Sequence, residues 1–516
     1  MTTRRTRHSA RGWRALLLLA AVTVAVGCKT RPLVLKSRSE GPTDMTVPPD
    51  MRLQTGCRQH ESHQVDVLFV VDNSGSIQAM QAELLKRFPE FFKVFYDLAA
   101  RGTGVDLHVG VITTDYGAGL VGATGCDPSP GGQGGRLQGV GAGADANCLG
   151  PVGANYLRYD FAPNGSNNLP DGQDLSRTVG CMAAVGADGC GSEHPLESTY
   201  AALHLADNAG FVRDDALLVV AFVTNEDDCS APADTDLFEE AYLEYGYANS
   251  FRCTHYGIVC GSPPMPPPYG ASSGPLVNCQ PAPNVDGKGP GKLFDVSRYI
   301  DLFTRPRAMG GLKDDPANVV LVSIAAPSDA VETILTDPQQ PWDSRDYVTC
   351  AVLQDKGAVG PWCVPTLQRS CRNLANRTFF GDPAVRLNAV VAAAKNHAIM
   401  PICDDDYSDA LAGIANLGLS HLSECCLPVA LPADPGAPGG VATDCVVKQS
   451  VGVGDATVTT ELISCAGNPG LYPCWRIESR SNCAAGSPQS LGVVVDRGGQ
   501  PTPDHTTIEA TCAARD

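Results

Sequence analysis

Five runs of the chain are apolar at nearly every position: residues 65–71 (VDVLFVV), 105–112 (VDLHVGVI), 216–223 (ALLVVAFV), 318–325 (NVVLVSIA) and 398–403 (AIMPIC). Runs of this length, rich in β-branched residues, predict strands, those at 65–71 and 216–223 buried on both faces and that at 105–112 alternating before it turns fully apolar. Helical spacing appears between them. Ile77, Met80, Leu84, Phe88, Phe91, Phe92, Phe95 and Leu98 recur three or four apart, and Pro89 predicts a break inside that stretch. Residues 175–207, 296–303, 385–395 and 408–417 predict further helices, the last capped by Asp406 or Ser408. Strand alternating with helix from residue 65 to about 420 predicts an α/β fold, a doubly wound, mostly parallel sheet.

Three stretches follow neither period: about 117–170, 229–292 and 335–380. They are rich in Gly, Pro and Cys and predict insertions held by disulfides, the first closed within itself. After Pro428 the texture changes again. Pro432, Pro435 and Pro438 mark a linker, and short β-patterned runs beyond it predict a small disulfide-rich β domain over 428–516. This assigns 60–427 to the α/β domain. Residues 29–59, polar and with four prolines, predict a flexible tether.

Composition sets the compartment. The chain has 516 residues, 21 cysteines and a formal net charge of -18. The acidity argues against nucleic acid and anionic membrane surfaces as partners and is compatible with cations. The cysteine content argues against a reducing cytosol. Arg4, Arg5, Arg7, Arg11 and Arg14 precede an apolar stretch at 15–26, a signal peptide over 1–28 that is too short for a membrane span. Ala25-Val26-Gly27-Cys28 resembles a bacterial lipobox. That resemblance implies lipidation of Cys28 and, with Lys29 rather than Asp next, an outer-membrane lipoprotein held by its N-terminal lipid alone; an ordinary signal peptide cut nearby is the alternative. Without Cys28 the remaining thiols number 13 from Cys57 to Cys403 and 7 from Cys425 to Cys512. Both counts are odd, so complete bridging requires a disulfide between the two groups, and the adjacent Cys425 and Cys426 are too strained to pair with each other.

The candidate chemistry sits where buried strands end in polar turns, the edge at which open α/β sheets bind ligands. The first strand ends in Asp72-Asn73-Ser74-Gly75-Ser76, and the 216–223 strand in Thr224-Asn225-Glu226-Asp227-Asp228. Asp-x-Ser-x-Ser after a buried strand resembles the von Willebrand factor type A (vWA) family, in which it opens a metal-ion-dependent adhesion site. The resemblance covers residues 65 to about 420, and cysteine-rich bacterial lipoproteins of that family, cell-surface adhesins among them, look similar. It implies metal contacts from Asp72, Ser74 and Ser76. It implies a second hydroxyl from Ser192, where the family has Thr; a plain helix N-cap is the bland reading of that serine. It implies a carboxylate from the 224–228 turn. Here Asn225 stands where the family has Asp, so either Asn225 substitutes through its side-chain oxygen or Glu226 or Asp227 does so.

Oxygen-only donors imply a hard divalent cation, Mg²⁺, Mn²⁺ or Ca²⁺. In the family its open position takes a carboxylate from a partner protein or surface ligand. The expectation is an adhesive or binding protein and not an enzyme. A structural envelope protein with a degenerate site is the first alternative. A metal-dependent hydrolase using Glu226-Asp227-Asp228 or Asp404-Asp405-Asp406 is the second, disfavoured because no His-Glu-x-x-His occurs and His63, His108 and His194 are scattered.

Overall fold

The computed structural model describes the chain from residue 57 onward, except for 61–63, 101–103, 242, 246–250, 262, 269, 285–290, 337–363, 421–424, 428–430, 432–444, 452–456, 469, 480–488, 490, 499–505 and 513–516. The signal segment, Cys28 and most of the tether lie outside the described residues, as do His63 and much of the third insertion.

The five predicted strands form. In chain order they are β2 (Gln64–Val71), β3 (Asp106–Thr113), β5 (Leu217–Val223), β8 (Val319–Ala325) and β13 (Asn396–Pro401), preceded by β1 (Cys57–His60). With β4 (Leu157–Asp160) they make a six-stranded sheet in the order β13-β8-β5-β2-β3-β4. All neighbours are parallel except β4, which runs antiparallel to β3. The pattern did not predict β4. It lies inside the Gly-rich stretch, and its four residues carry no period of their own.

Helices cover both faces. They are α1 (Gln78–Lys86), α2 (Phe88–Ala99), α3 (Leu175–Ala183), α4 (Pro195–His204), α5 (Phe251–Gly257), α6 (Ser297–Thr304), α7 (Val385–Ala393) and α8 (Ser408–Ser420). Pro89 lies in the first turn of α2 and Arg87 separates α1 from α2, which is the predicted break. Alternate residues of β2 supply two separate cores. Val65, Val67, Phe69 and Val71 pack with α1, α2, α3 and α8; Leu68 and Val70 pack with α4, α6 and α7. Phe69 meets Phe88 and Phe91 edge to face, ring centroids 5.3 and 5.5 Å apart, which fixes α2 against the centre of the sheet.

Disulfides hold the irregular stretches, though not all as expected. Cys126 bonds Cys190, and Cys148 bonds Cys181. The Gly-rich insertion is therefore fastened to the segment around α3 and not closed on itself. Cys229–Cys253 and Cys260–Cys279 close the second insertion internally. Cys371–Cys403 ties the end of the third to the residues after β13. Short pairs occur within these stretches: β6 (Ile258–Val259) with β7 (Gln280–Pro281), β9 (Thr333–Thr336) with β10 (Val364–Leu367), and β11 (Cys371–Arg372) with β12 (Phe380–Gly381).

The remaining strands are β14 (Cys425–Cys426), β15 (Cys445–Val451), β16 (Val458–Ser464), β17 (Cys474–Ser479), β18 (Leu491–Asp496) and β19 (Thr506–Cys512). They form a seven-stranded sheet in the order β1-β19-β15-β16-β17-β18-β14. Its core is small, centred on Val447, Trp475, Ile477, Val493 and Ile508, and Cys445–Cys512 and Cys465–Cys474 staple it. Its first strand comes from residues 57–60, which the sequence assigned to the end of the tether. The edge position explains this: β19 has a free side, and four residues suffice to pair with it. The two edge strands, β1 and β14, lie alongside each other, so the sheet curls on itself.

Candidate functional site

β2 is central, with β5 on one side and β3 on the other, so the turns after these three strands gather at one edge. The Asp72 N–H donates to Val223 O at 2.9 Å, extending the ladder by one residue before the chain turns. The Asp72 carboxylate is fully buried and accepts two bonds. Oδ1 takes the Ser74 N–H at 2.7 Å, and Oδ2 takes the Thr224 hydroxyl at 2.9 Å. The first bond shapes the tight turn; the second joins it to the end of β5. Ser74 Oγ lies 3.3 Å from Ser76 Oγ, and the Ser76 hydroxyl donates to Asn225 Oδ1 at 3.0 Å. Asp72, Ser74, Ser76 and Asn225 thus form one continuous polar chain, which brings together four of the residues expected at the site.

Ser192 lies between Gly191 and Glu193, which both line a cavity at this edge. Ser192 is only partly buried, and the N-cap position of α4 falls on His194, with no side-chain cap bond. The helix N-cap reading of Ser192 does not hold. The next residue, Glu193, occupies the site. The Cys126–Cys190 bridge, the His194 N–H bond to Thr114 O at 2.8 Å and the Cys229 N–H bond to Glu193 O at 2.7 Å fix this segment between the turns after β3 and β5. Glu193 is thereby turned inward, 0% exposed, and its carboxyl group meets that of Glu226 at hydrogen-bonding range.

Glu226 is likewise buried and leaves Oε2 unbonded. Asp227 points away. Its carboxylate accepts the N–H groups of Val385, Arg386 and Leu387 at 3.0 Å and so caps α7. Successive side chains leaving a strand point in opposite directions, and the one that follows Glu226 is spent on this helix. Asp228 pairs with the buried Arg386 guanidinium at 3.1 Å. In the other acidic cluster, Asp404, Asp405 and Asp406 are exposed. Asp406 accepts the Ser408 N–H at 2.9 Å and caps α8 as expected. His108 and His194 are buried.

A cavity of about 590 Å³ opens over this edge, its lining including Ser74, Ser76, Glu193, Glu226, Thr378 and Phe380. The last two come from the β11–β12 hairpin, which sequence reasoning did not connect to the site. Three ties hold that hairpin in place: the Cys371–Cys403 bridge, the Asp382 N–H bond to Asn225 O at 2.8 Å, and a buried Arg369–Asp382 ion pair at 2.7 Å.

The carboxyl groups perturb one another. Burial pushes Asp72 up, against the bonds from Ser74 and Thr224. Glu193 is pushed well above the usual carboxylate range by burial first and then by the charges of Glu226 and Asp72. Burial, Asp382 and Asp72 push Glu226 up to about 8, with Arg369 opposing. These carboxyls resist ionising until a cation arrives. Among the described residues no three His, Cys, Asp or Glu side chains form a metal-holding group. A cation here would depend on the Ser74 and Ser76 hydroxyls together with Glu193 and Glu226. This all-oxygen donor set fits a hard divalent ion.

No protein-family model matches the chain, and no curated protein matches it. Among solved structures it is similar to the pilus adhesin SpaC from Lactobacillus rhamnosus GG in its open conformation, with 9% identity over 89% of this chain and 38% of that one and a TM-score of 0.28. It is also similar to the pilus adhesin RrgA from Streptococcus pneumoniae, at 9% identity over 88% and 57% with a TM-score of 0.24. The adhesive tip pilin GBS104 from Group B Streptococcus agalactiae gives 8% identity over 89% and 81%, with a TM-score of 0.25. The chain thus spans less than two thirds of SpaC and of RrgA.

Proposed function

We propose that this chain is a secreted binding protein of vWA type, not an enzyme, and that it engages a protein or surface ligand through a divalent cation at the turn after β2. The observation that carries the reading is the Asp72–Ser74–Ser76–Asn225 chain beside the buried Glu193 and Glu226 carboxyl pair, which among the described residues has no basic partner of its own to neutralise Glu193. A bound Mg²⁺, Mn²⁺ or Ca²⁺ would supply an open coordination position for a ligand atom. Ser74 and Ser76 present neutral hydroxyl oxygens. Asp72 holds their turn in place through Ser74 N–H, and Thr224 fixes Asp72 in turn. Glu193 and Glu226 add charge from the wall of the cavity, and the β11–β12 hairpin limits what can enter. The disulfides suit export, and in this reading Cys28 carries the lipid that holds the protein in the cell envelope, at the outer membrane.

Calorimetric titration of the disulfide-intact chain with each cation tests this. Binding that vanishes in Asp72→Ala supports it. One observation favours a second reading: Asn225 is neutral and its oxygen already accepts from Ser76. Absence of binding to all three cations would make the protein a scaffold with a degenerate site.

A further inference from the structure

We propose that the outer edge of β13 pairs antiparallel with the same edge of a second copy of this chain. β13 is the last strand of the six-stranded sheet, and among the described residues β8 alone pairs with it. The Ile402 N–H donates to Ala325 O at 3.1 Å. In a parallel ladder alternate residues turn their backbone groups toward the same neighbour. Asn396, Ala398 and Met400 therefore share the side of Ile402, facing β8, while His397, Ile399 and Pro401 turn their backbone groups outward. The same three residues are exposed, Ile399 at 44%. An open edge of this kind is a template for another strand.

The order of charge along the strand selects a second copy. Lys395 precedes β13, and Asp404 and Asp405 follow it; all three are exposed. Asp406, next in line, is already engaged with Arg87 and Ser408. A reversed copy with Ile399 opposite Ile399 sets His397 opposite Pro401 and Lys395 opposite Cys403, one residue from Asp404. Each Lys395 then reaches the acidic end of the other strand, and symmetry makes the contact twice. An interface between identical patches must be complementary to itself. A strand basic at one end and acidic at the other meets that condition when it is reversed. The proline fits the same register. The two Ile399 residues exchange two main-chain bonds, and each His397 N–H donates to Pro401 O of the other copy; at each end the pairing does without the N–H that proline lacks. Because one copy is inverted, the turns after the two β2 strands face opposite ways. On the site reading above, one pair offers two ligand sites pointing apart.

The test is sedimentation equilibrium of the full disulfide-intact chain in chelator, at about 0.15 M salt, where charges are screened beyond about 8 Å and the formal charge of -18 holds two copies apart only weakly. Four main-chain bonds and two ion pairs predict a dimer with a dissociation constant on the order of 10–100 μM. Lys395→Asp and Asp404→Lys should each weaken self-association about tenfold or more by setting like charges together. Mixed in equal amounts, the two variants should pair again, because each supplies the charge that the other lacks. Ile399→Pro removes the N–H at the centre of the pairing and none from the ladder with β8, and should leave a monomer. Thermal unfolding of each variant checks that the fold is intact. A chain that stays monomeric at every concentration, or a dimer indifferent to the charge exchange, overturns the proposal. The metal site plays no part in these readings, so its failure and that of the β13 pairing are separate results.

Discussion

The Ser76 hydroxyl reaches Asn225 Oδ1 at 3.0 Å and so connects two turns 149 residues apart in the chain. That bond brings the neutral Asn225 amide into the polar chain with Ser74 and Ser76. Asn225→Asp puts a fourth acid beside Asp72, Glu193 and Glu226. In chelator the variant should melt lower, by about 1–3 kcal/mol of stability. In saturating Mg²⁺ or Ca²⁺ the difference should shrink or reverse, because the added charge is then used. Thermal unfolding with and without metal measures both.

Glu226 gives a pH dependence with a definite sign. Its folded-state pKa of about 8 lies above its ordinary value of 4.5. The folded protein therefore keeps a proton that the unfolded chain has released. The resulting stability is full below pH 4.5 and is lost as pH rises through about 8. Metal-free protein should lose a few kcal/mol across that window. Glu226→Gln should flatten the profile, which denaturant unfolding at successive pH values will show.

Asp227 separates placement from proximity in sequence. Since its oxygens hold the first turn of α7, Asp227→Ala should cost about 1–3 kcal/mol through lost capping and orphaned N–H groups. Metal affinity should stay within error of the unaltered chain. A loss of metal binding without loss of stability would return Asp227 to the site.

Phe69 is 0% exposed and holds α2 against β2. Phe69→Ala should cost about 3–5 kcal/mol, read as a shift in the urea midpoint at constant slope.

The unassigned thiols yield a mapping result. Apart from Cys28, the bridges described leave Cys57, Cys350 and Cys363 before residue 403 and Cys425, Cys426 and Cys483 after it. Cys425 is disulfide-bonded. With three on each side, complete bridging requires a bond across the divide. The adjacency of β1 and β14 favours Cys57 with Cys425 or Cys426. Non-reducing peptide mapping should recover that cross-linked pair.

Local pattern was enough for the parts of the molecule that are locally determined. Four buried strands and the half-exposed edge strand β13, the helix break at Pro89 and the cap at Asp406 follow from spacing and turn chemistry within a few residues. So does the cluster of Asp72, Ser74, Ser76 and Asn225, because each lies directly after a buried strand. Glu193 was missed because long-range ties, a disulfide to Cys126 and backbone bonds to Thr114 and Cys229, set which residue of 191–194 turns inward. Thr378 and Phe380 were missed because they reach the cavity only by way of an insertion; the Cys371–Cys403 bridge that carries them there has no signature in spacing. β1 was read as tether because its partner lies some 450 residues away.

The position of the site at one end of β2 also determines how the molecule would bear force. β2 is eight residues long, roughly 25 Å, and is hydrogen-bonded along its length to parallel strands on both sides. A tug between a ligand held at Ser74 and Ser76 and the chain entering at Gln64 acts along the strand itself. The rungs on both flanks are loaded together in shear, and none can be peeled open one at a time. In that reading the ligand and the chain entering β2 would pull on opposite ends of one strand clamped on both sides.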